Sequence, residues 1–518
     1  MSKLTGYVQR IGPNWVARCA NLAVLFVLSP FVVHRLGTEA YGVWSLLVSL
    51  TGYLGLIELG TRGGLGRFIP FYMGRNDPTG VNGVINTTIG FFIACGAALM
   101  LVAGGLAASV EILFARIPVD YVASARLVIL LIALNLWASF LGTPFSLILT
   151  ALERFGLARG IDMGVLAARA AGVVIVLVAG GGLIGLAVVE LAANLLWILA
   201  NYVAARRIYR PLRLGVGLVG RGWFREVFGF SIWAFVGNVS VNIIYSTDLL
   251  VVGLLIGVRE VAIYSIPLML IQHAQHFFNE VNAVLGPPII KAAGAGRHAD
   301  LRWLFLRGAR ASLLLGLPFL IGFMVFGGEF IVLWMGPEFA DGIWVLRILA
   351  LAQVAAVATS ITTPVISGLG RVRYSALVVT AQAVCNLALS VFFVTQLSLG
   401  LEGIALGTLF PMVVFYSILA GAVMRWLRVS LTSFISQAVL PGAMAASLFT
   451  VMTLVGFRLP GHGQWPWFVA KVACLGVAYA AMAWVLLFYG VGGANHQGAG
   501  RQAARVITAA GGSPTGKG

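Results

Sequence analysis

Apolar stretches of about 20 residues, the length that crosses a bilayer, recur along the whole chain between short polar turns. They predict fourteen helices, near residues 11–33, 42–60, 84–108, 125–148, 162–181, 183–204, 230–256, 261–285, 309–335, 344–367, 374–397, 402–424, 438–457 and 467–489. The turns differ in charge by face. One set carries Arg62, Arg67, Arg75, Arg154, Arg159, Lys291, Arg297, Arg302, Arg307, Arg310, Arg371, Arg373, Arg425 and Arg428. The other set is short and acidic, with Glu39, Glu111, Asp120, Glu260, Glu329, Glu338, Asp341 and Glu402. The excess of arginine on one face predicts that both termini lie in the cytoplasm.

The pattern repeats itself. Gly37-Thr-Glu39-Ala-Tyr-Gly-Val43-Trp44-Ser45-Leu46 answers without a gap to Gly257-Val-Arg-Glu260-Val-Ala-Ile263-Tyr264-Ser265-Ile266, an offset of 220 residues. Thr143-Pro144 answers to Thr363-Pro364, and Gly182-Leu-Ile-Gly185-Leu-Ala187 to Gly400-Leu-Glu-Gly403-Ile-Ala405. Two copies with an even number of spans each enter the membrane from the same face. Such parallel repeats point to a secondary transporter with its site between the halves near the midplane.

The expected fold class is thus an all-α integral membrane protein of two parallel six-helix lobes plus two extra C-terminal helices. The expected domains are residues 1–220 (six helices and the start of a basic linker), 221–437 (helices seven to twelve), 438–490 (the appended pair) and 491–518 (a disordered cytoplasmic tail). The linker, 205–229, holds Arg206, Arg207, Arg210, Arg213, Arg221 and Arg225. Its Arg221, Trp223, Phe224, Arg225 and Phe228 predict a short amphipathic helix at the interface. Rocking of the lobes about this linker is the expected motion.

Composition agrees with a membrane origin. Hydrophobic residues make up 60% of the chain and charged ones 10%, against about a quarter charged in soluble proteins. Mean hydropathy is +0.97. The net charge of +17 reads as a topological label and an attraction to anionic headgroups, and calls for no nucleic acid. The apolar start after Lys3 and Arg10 has no small-residue cleavage site and reads as a retained first helix. Cys19, Cys95, Cys385 and Cys474 are scattered and read as small hydrophobes, with no metal spacing or disulfide framework. No nucleophile–base pair, phosphate loop or metal cluster is legible, so neither an enzyme nor a cofactor is expected.

Several predicted helices carry polar side chains at steps of three, four or seven, which share one face. They are Asn14, Arg18 and Asn21; Asn135, Ser139 and Thr143; Glu190, Asn194 and Asn201; Asn238, Asn242, Tyr245 and Asp248; Gln272, His276 and Glu280; and Gln382 with Asn386. Two readings stay open: interhelical hydrogen bonds worth about 0.6 kcal/mol each, or the lining of a wet cavity. The ionisable groups are more telling. Arg18 and Arg169 sit about seven residues inside their helices, roughly 10 Å deep. Each either snorkels or faces a cavity or partner, since a mid-bilayer charge costs about 2.5–3.5 kcal/mol. Glu190 and Asp248 are similarly deep from the other face. His273 and His276 near the middle of one span are either packing residues or, with Asp248 and Glu280, groups for proton or sodium coupling.

Leu36-Gly37-Thr-Glu-Ala-Tyr41-Gly42-Val-Trp44 with Gly55-Leu-Ile-Glu58-Leu59-Gly60 resembles the start of bacterial polysaccharide (O-antigen type) flippases. So do Thr247-Asp248-Leu-Leu-Val-Val-Gly253, Tyr264-Ser265 and Pro337-Glu338-Phe339. That family belongs to the multidrug/oligosaccharidyl-lipid/polysaccharide exporter superfamily, and the resemblance spans residues 10–435. It implies two lobes forming a V around a central cavity. It also implies alternating-access export of undecaprenyl-pyrophosphate-linked oligosaccharide across the bacterial inner membrane, alongside a polysaccharide polymerase and a chain-length regulator. Arg18 suits the basic first-helix residue of those members. Arg18 and Arg169 favour a pyrophosphate, which the planar guanidinium fork binds bidentately, over the organic cation of a multidrug antiporter. The alternatives are a multidrug-type cation antiporter and, after it, a non-transporting scaffold of a polysaccharide assembly complex.

Overall fold

The computed structural model describes residues 20–58, 61–229, 244, 246–457 and 463–488. Among them the secondary structure is helical. In chain order the principal helices are α1 (Ala20–Leu36), α2 (Thr38–Leu54), α3 (Thr61–Gly74), α4 (Pro78–Ala108), α5 (Val119–Ala151), α6 (Phe155–Val178), α7 (Gly182–Ile208) and α8 (Arg221–Gly229). Then come α9 (Ser246–Leu255), α10 (Val258–Gly294), α11 (His298–Met335), α12 (Gly342–Ala358), α13 (Thr362–Gly368), α14 (Val372–Thr395) and α15 (Gly400–Leu427). After a π-helical turn at Ile435–Val439 follow α16 (Leu440–Phe457) and α17 (Trp465–Phe488). Ten helices among the described residues are long and apolar enough to cross a bilayer, or eleven if α1 and α2, bent by 120°, make one broken span. The fourteen predicted stretches are largely helical where they are described, with non-helical residues at 179–181, 256, 359–361 and 396–397.

The chain forms two compact units. One draws on residues 1–266 and 379–407, the other on 267–378 and 408–518.

Within the first unit the two copies of the repeat touch. Helix α2 runs antiparallel to α9 and touches the first turn of α10. A Cβ on Gly42 would lie 1.8 Å from the Val258 carbonyl oxygen, one on Gly52 would lie 1.9 Å from Ser246 Oγ, and one on Gly253 would meet Leu46. The Tyr53 hydroxyl lies 2.5 Å from Thr247 Oγ1, and Arg116 donates to the Ile256 carbonyl. The atoms that would crowd Gly42 extend to the backbone of Ala262, its own counterpart 220 residues on. Such self-matching contact is what an axis passing between two parallel copies produces. Small residues allow the close approach, because lipid supplies no hydrophobic drive between helices.

Also in this unit, α6 and α7 form a tight hairpin. The Gly181 N–H donates to the Val176 carbonyl at 2.9 Å and the Gly180 N–H to that of Leu177 at 3.2 Å. Gly180 sits at φ +79°. This is a Schellman closure with glycine at the left-handed position, and it sets the register of everything below it.

The second unit is held by α11. Tyr479 donates its hydroxyl to the Leu314 carbonyl at 2.6 Å and stacks edge-on against Phe449 at 4.8 Å, so the appended α16–α17 pair is anchored to α11 rather than loose. Gln275 Nε2 donates to Gln353 Oε1 at 2.8 Å, tying α10 to α12.

Candidate functional site

The hairpin register brings polar residues of α6 and α7 opposite each other in two layers. In the first, Arg169 Nε donates to Glu190 Oε1 at 2.8 Å. Seven residues away on both helices, Trp197 Nε1 donates to Asp162 Oδ1 at 3.0 Å, and Arg159 pairs with Asp162 Oδ2 at 2.8 Å. Steps of seven return to the same helix face after two turns, so both layers lie on one seam. Between them Asn194 reaches across to α5. Its Nδ2 donates to the carbonyl oxygen and to Oδ1 of Asn135, at 2.7 and 2.9 Å. Asn201, fully buried, bonds only back to the Trp197 carbonyl.

Arg169 lies deeper than its sequence context implied. Helix α6 begins at Phe155, after a left-handed Glu153, and not near 162. Its first two turns carry the Arg159–Asp162 ion pair among apolar Phe155, Leu157 and Ile161, so an apolar count that stops at charges passes over them. Arg169 is therefore about 21 Å along α6 at 1.5 Å per residue, close to the middle of the span. Its side chain is 48% exposed and that of Glu190 24%. One turn to either side on the same face, Val165, Leu166 and Gly172 are half-buried and Val173 is buried. Among the described residues only Nε is engaged, so both terminal nitrogens remain available to a planar anion.

The other candidates are placed differently. Asn14, Arg18, Asn238 and Asn242 lie outside the described residues, as does Tyr245. Asn21 is exposed on α1. Asp248 is 1% exposed and accepts from the Tyr264 hydroxyl at 2.9 Å. It belongs to the packed contact of α9 with α10. Gln382 and Asn386 are buried, and Asn386 Nδ2 contacts the Gly407 carbonyl at 3.4 Å. His273 is half-buried in the second unit, with Nδ1 2.7 Å from the Met269 carbonyl oxygen. His276 and Glu280 lie on α10, with side chains outside the described set. No group of three metal-ligating side chains occurs among the described residues.

The sequence reasoning missed Asp162 and Trp197. Their signal was present, since each stands seven residues from a residue already singled out on the same helix.

The family model described as polysaccharide biosynthesis protein matches residues 36–343. This chain belongs to that family. A Shigella flexneri relative named "Putative O-antigen transporter" is 25% identical over 388 residues, covering 71% of this chain and 86% of its own. A Bacillus subtilis relative, "Uncharacterized membrane protein EpsK", is 23% identical over 473 residues, covering 89% and 91%. Solved structures show the same fold. The lipid II flippase MurJ in an inward closed conformation matches with a TM-score of 0.67 and 13% identity, over 93% of this chain and 99% of that one. An inward-facing multidrug resistance MATE family transporter of the MOP superfamily also scores 0.67, at 15% identity over 81% and 99%. As a member of the family matched over residues 36–343, the chain is a polysaccharide biosynthesis protein, and its membrane-length apolar helices make it a multi-pass membrane protein.

Proposed function

We propose that this protein flips oligosaccharide units carried on undecaprenyl pyrophosphate from the cytoplasmic to the periplasmic leaflet, for O-antigen, capsule or exopolysaccharide. A lipid-linked oligosaccharide as cargo is what the family and the Shigella relative's name support. The observation within this chain that carries the reading is Arg169. It is a mid-span guanidinium held through Nε by Glu190, with its terminal nitrogens open among the described residues. A charge at that depth costs about 2.5–3.5 kcal/mol in lipid. The pairing with Glu190 offsets part of this cost and orients the fork toward a phosphate. Moving anionic charge outward also runs with an inside-negative potential, by about 2.3 kcal/mol per charge per 100 mV.

The same pair argues against an organic-cation antiporter. A cation needs an uncompensated carboxylate in low dielectric, whereas Glu190 is already neutralised and Asp248 is enclosed beside Tyr264. Arg18 is the second cation we assign to the substrate path. Asn14, Asn21, Asn194, Asn238, Asn242, Gln382 and Asn386 supply the amides that replace water around sugar hydroxyls. Proton or sodium coupling falls to Asp248, His273, His276 and Glu280. The cycle is alternating access between lobes 1–220 and 221–437, both termini cytoplasmic, with a polymerase and a chain-length regulator downstream.

The test is reconstitution in proteoliposomes with a fluorescent undecaprenyl-pyrophosphate oligosaccharide. Arg169→Lys keeps the charge but loses the fork and should retain part of the flipping rate. Arg169→Ala should lose most of it, and Arg169→Glu should be worst, because like charges then meet. Wild-type flipping by a well-expressed Arg169→Glu protein would remove Arg169 from the mechanism.

A further inference from the structure

The basic connection between α7 and α8 is not a slack linker. Residues 211–215 run extended along the first turns of α4, held by two buried asparagines. Asn82 Nδ2 donates to the Pro211 carbonyl at 2.9 Å, and its Oδ1 accepts the Arg213 N–H at 2.9 Å. Asn86 Nδ2 donates to the Arg213 carbonyl at 2.8 Å, and its Oδ1 accepts the Gly215 N–H at 2.9 Å. Each amide acts as a peptide group of a neighbouring strand would. The periods match, because four residues of helix advance about 6.0 Å and two of extended chain about 6.6 Å. At the next residue of α4, Thr87 Oγ1 accepts the Gly220 N–H at 3.1 Å and fixes the start of α8. Trp223 then lies over Gly83, where a Cβ would come within 2.4 Å of Nε1, and meets Tyr72 edge-on at 5.4 Å. Arg206 ties the near end by donating to the carbonyls of Arg210 and Leu212.

What this strap displays is chemically uniform. Arg207, Arg210, Arg213, Arg221 and Arg225 are all exposed, and none has a side-chain hydrogen bond or ion pair among the described residues. Between them stand Leu214, Val219 and Phe224, 48%, 46% and 43% exposed. Helix α4 has 31 residues, about 46 Å, against about 30 Å of hydrocarbon. An overhang of about 16 Å at the N-terminal end of α4 would bring the strap, clamped at Asn82, Asn86 and Thr87, to headgroup level. Cations alternating with apolar side chains at that level match an anionic leaflet, with phosphates for the arginines and acyl boundary for the rest. An acidic protein or a nucleic acid would leave the exposed side chains of Leu214 and Val219 without an apolar phase.

We propose that the strap is a preformed binding surface for anionic phospholipid headgroups, which the asparagine clamp holds in register. The full-length protein in neutral detergent is mixed with equal amounts of dioleoyl phosphatidylglycerol and dioleoyl phosphatidylcholine, and bound lipid is counted by native mass spectrometry. The wild type should retain phosphatidylglycerol selectively. Arg207→Gln/Arg210→Gln/Arg213→Gln/Arg221→Gln should lower that retention by at least about tenfold, given about 1 kcal/mol per basic residue at a charged surface. A control without Arg371, Arg373, Arg425 and Arg428, each changed to Gln, should keep it. Asn82→Leu/Asn86→Leu, with every charge intact, should lose selectivity if register matters, and a thermal melt checks that this variant is folded. Equal loss in the quadruple variant and the control overturns the proposal. So does a wild type without preference for phosphatidylglycerol, or displacement of that lipid by equimolar farnesyl pyrophosphate, which would assign the arginines to the substrate's headgroup.

Discussion

At the scale of the residue, the pairing of Arg169 with Glu190 has consequences for stability as well as transport. Arg169→Ala leaves a carboxylate in mid-span without its partner, which is costlier than removing both groups. Arg169→Ala/Glu190→Ala should therefore accumulate to higher levels than Arg169→Ala alone, measured by quantitative immunoblot of membranes, while neither flips substrate. Equal accumulation would mean that Glu190 finds another partner or a proton. Outside the spans, burial pushes the Tyr209 phenol above its usual range and the nearby Asp77 carboxylate adds to this. Tyr209 thus stays protonated where the strap leaves α7. Asp77 meanwhile accepts the Gly80 N–H at 3.0 Å, the ordinary cap for a helix that opens on proline.

At the scale of the element, two contacts carry the predictions. The α2–α9 contact joins the two repeat copies, so alternating access requires it to part. Cysteines at Tyr53 and Thr247, whose hydroxyls lie 2.5 Å apart across this contact, should be joined by a short bis-methanethiosulfonate crosslinker, arrest flipping, and release it on reduction. Full transport through a verified crosslink would end the rocking mechanism. Gly42→Val puts a branched side chain where a single Cβ already meets the Val258 carbonyl. Overpacking of this kind costs about 1–3 kcal/mol, which should appear as a lowered melting temperature and reduced transport. The strap is the second contact. Asn82→Ala removes two hydrogen bonds to the linker backbone, about 1–3 kcal/mol in all. It should expose the 211–215 amides to faster hydrogen exchange without altering exchange in α5.

At the scale of the whole molecule, the hydrogen bonds of 211–220 to α4 mean that the proposed cycle would carry this segment together with α4. In the cell, deleting the gene should cause undecaprenyl-linked glycan to accumulate in the cytoplasmic leaflet and leave tolerance of cationic drugs unchanged. The opposite pattern would favour the multidrug reading.

The sequence alone determined the membrane class, the approximate place of most described long helices, and the family. These depend on local hydropathy and on short motifs, and both survive without knowledge of partners. It also put Arg169, Glu190 and Asn194 among the candidates, since a polar group in an apolar span stands out wherever it points. Three things were decided by the tertiary structure. The α6–α7 turn aligned Arg169 with Glu190 and Asp162 with Trp197, and a shift of one residue there would have turned these side chains away from each other. Antiparallel packing enclosed Asp248 beside Tyr264, although its position in the chain resembled that of the cavity candidates. The clamp by Asn82 and Asn86 made a strap of what composition presented as a linker. Its hydrogen bonds join residues about 130 positions apart, and no periodicity within either segment records them.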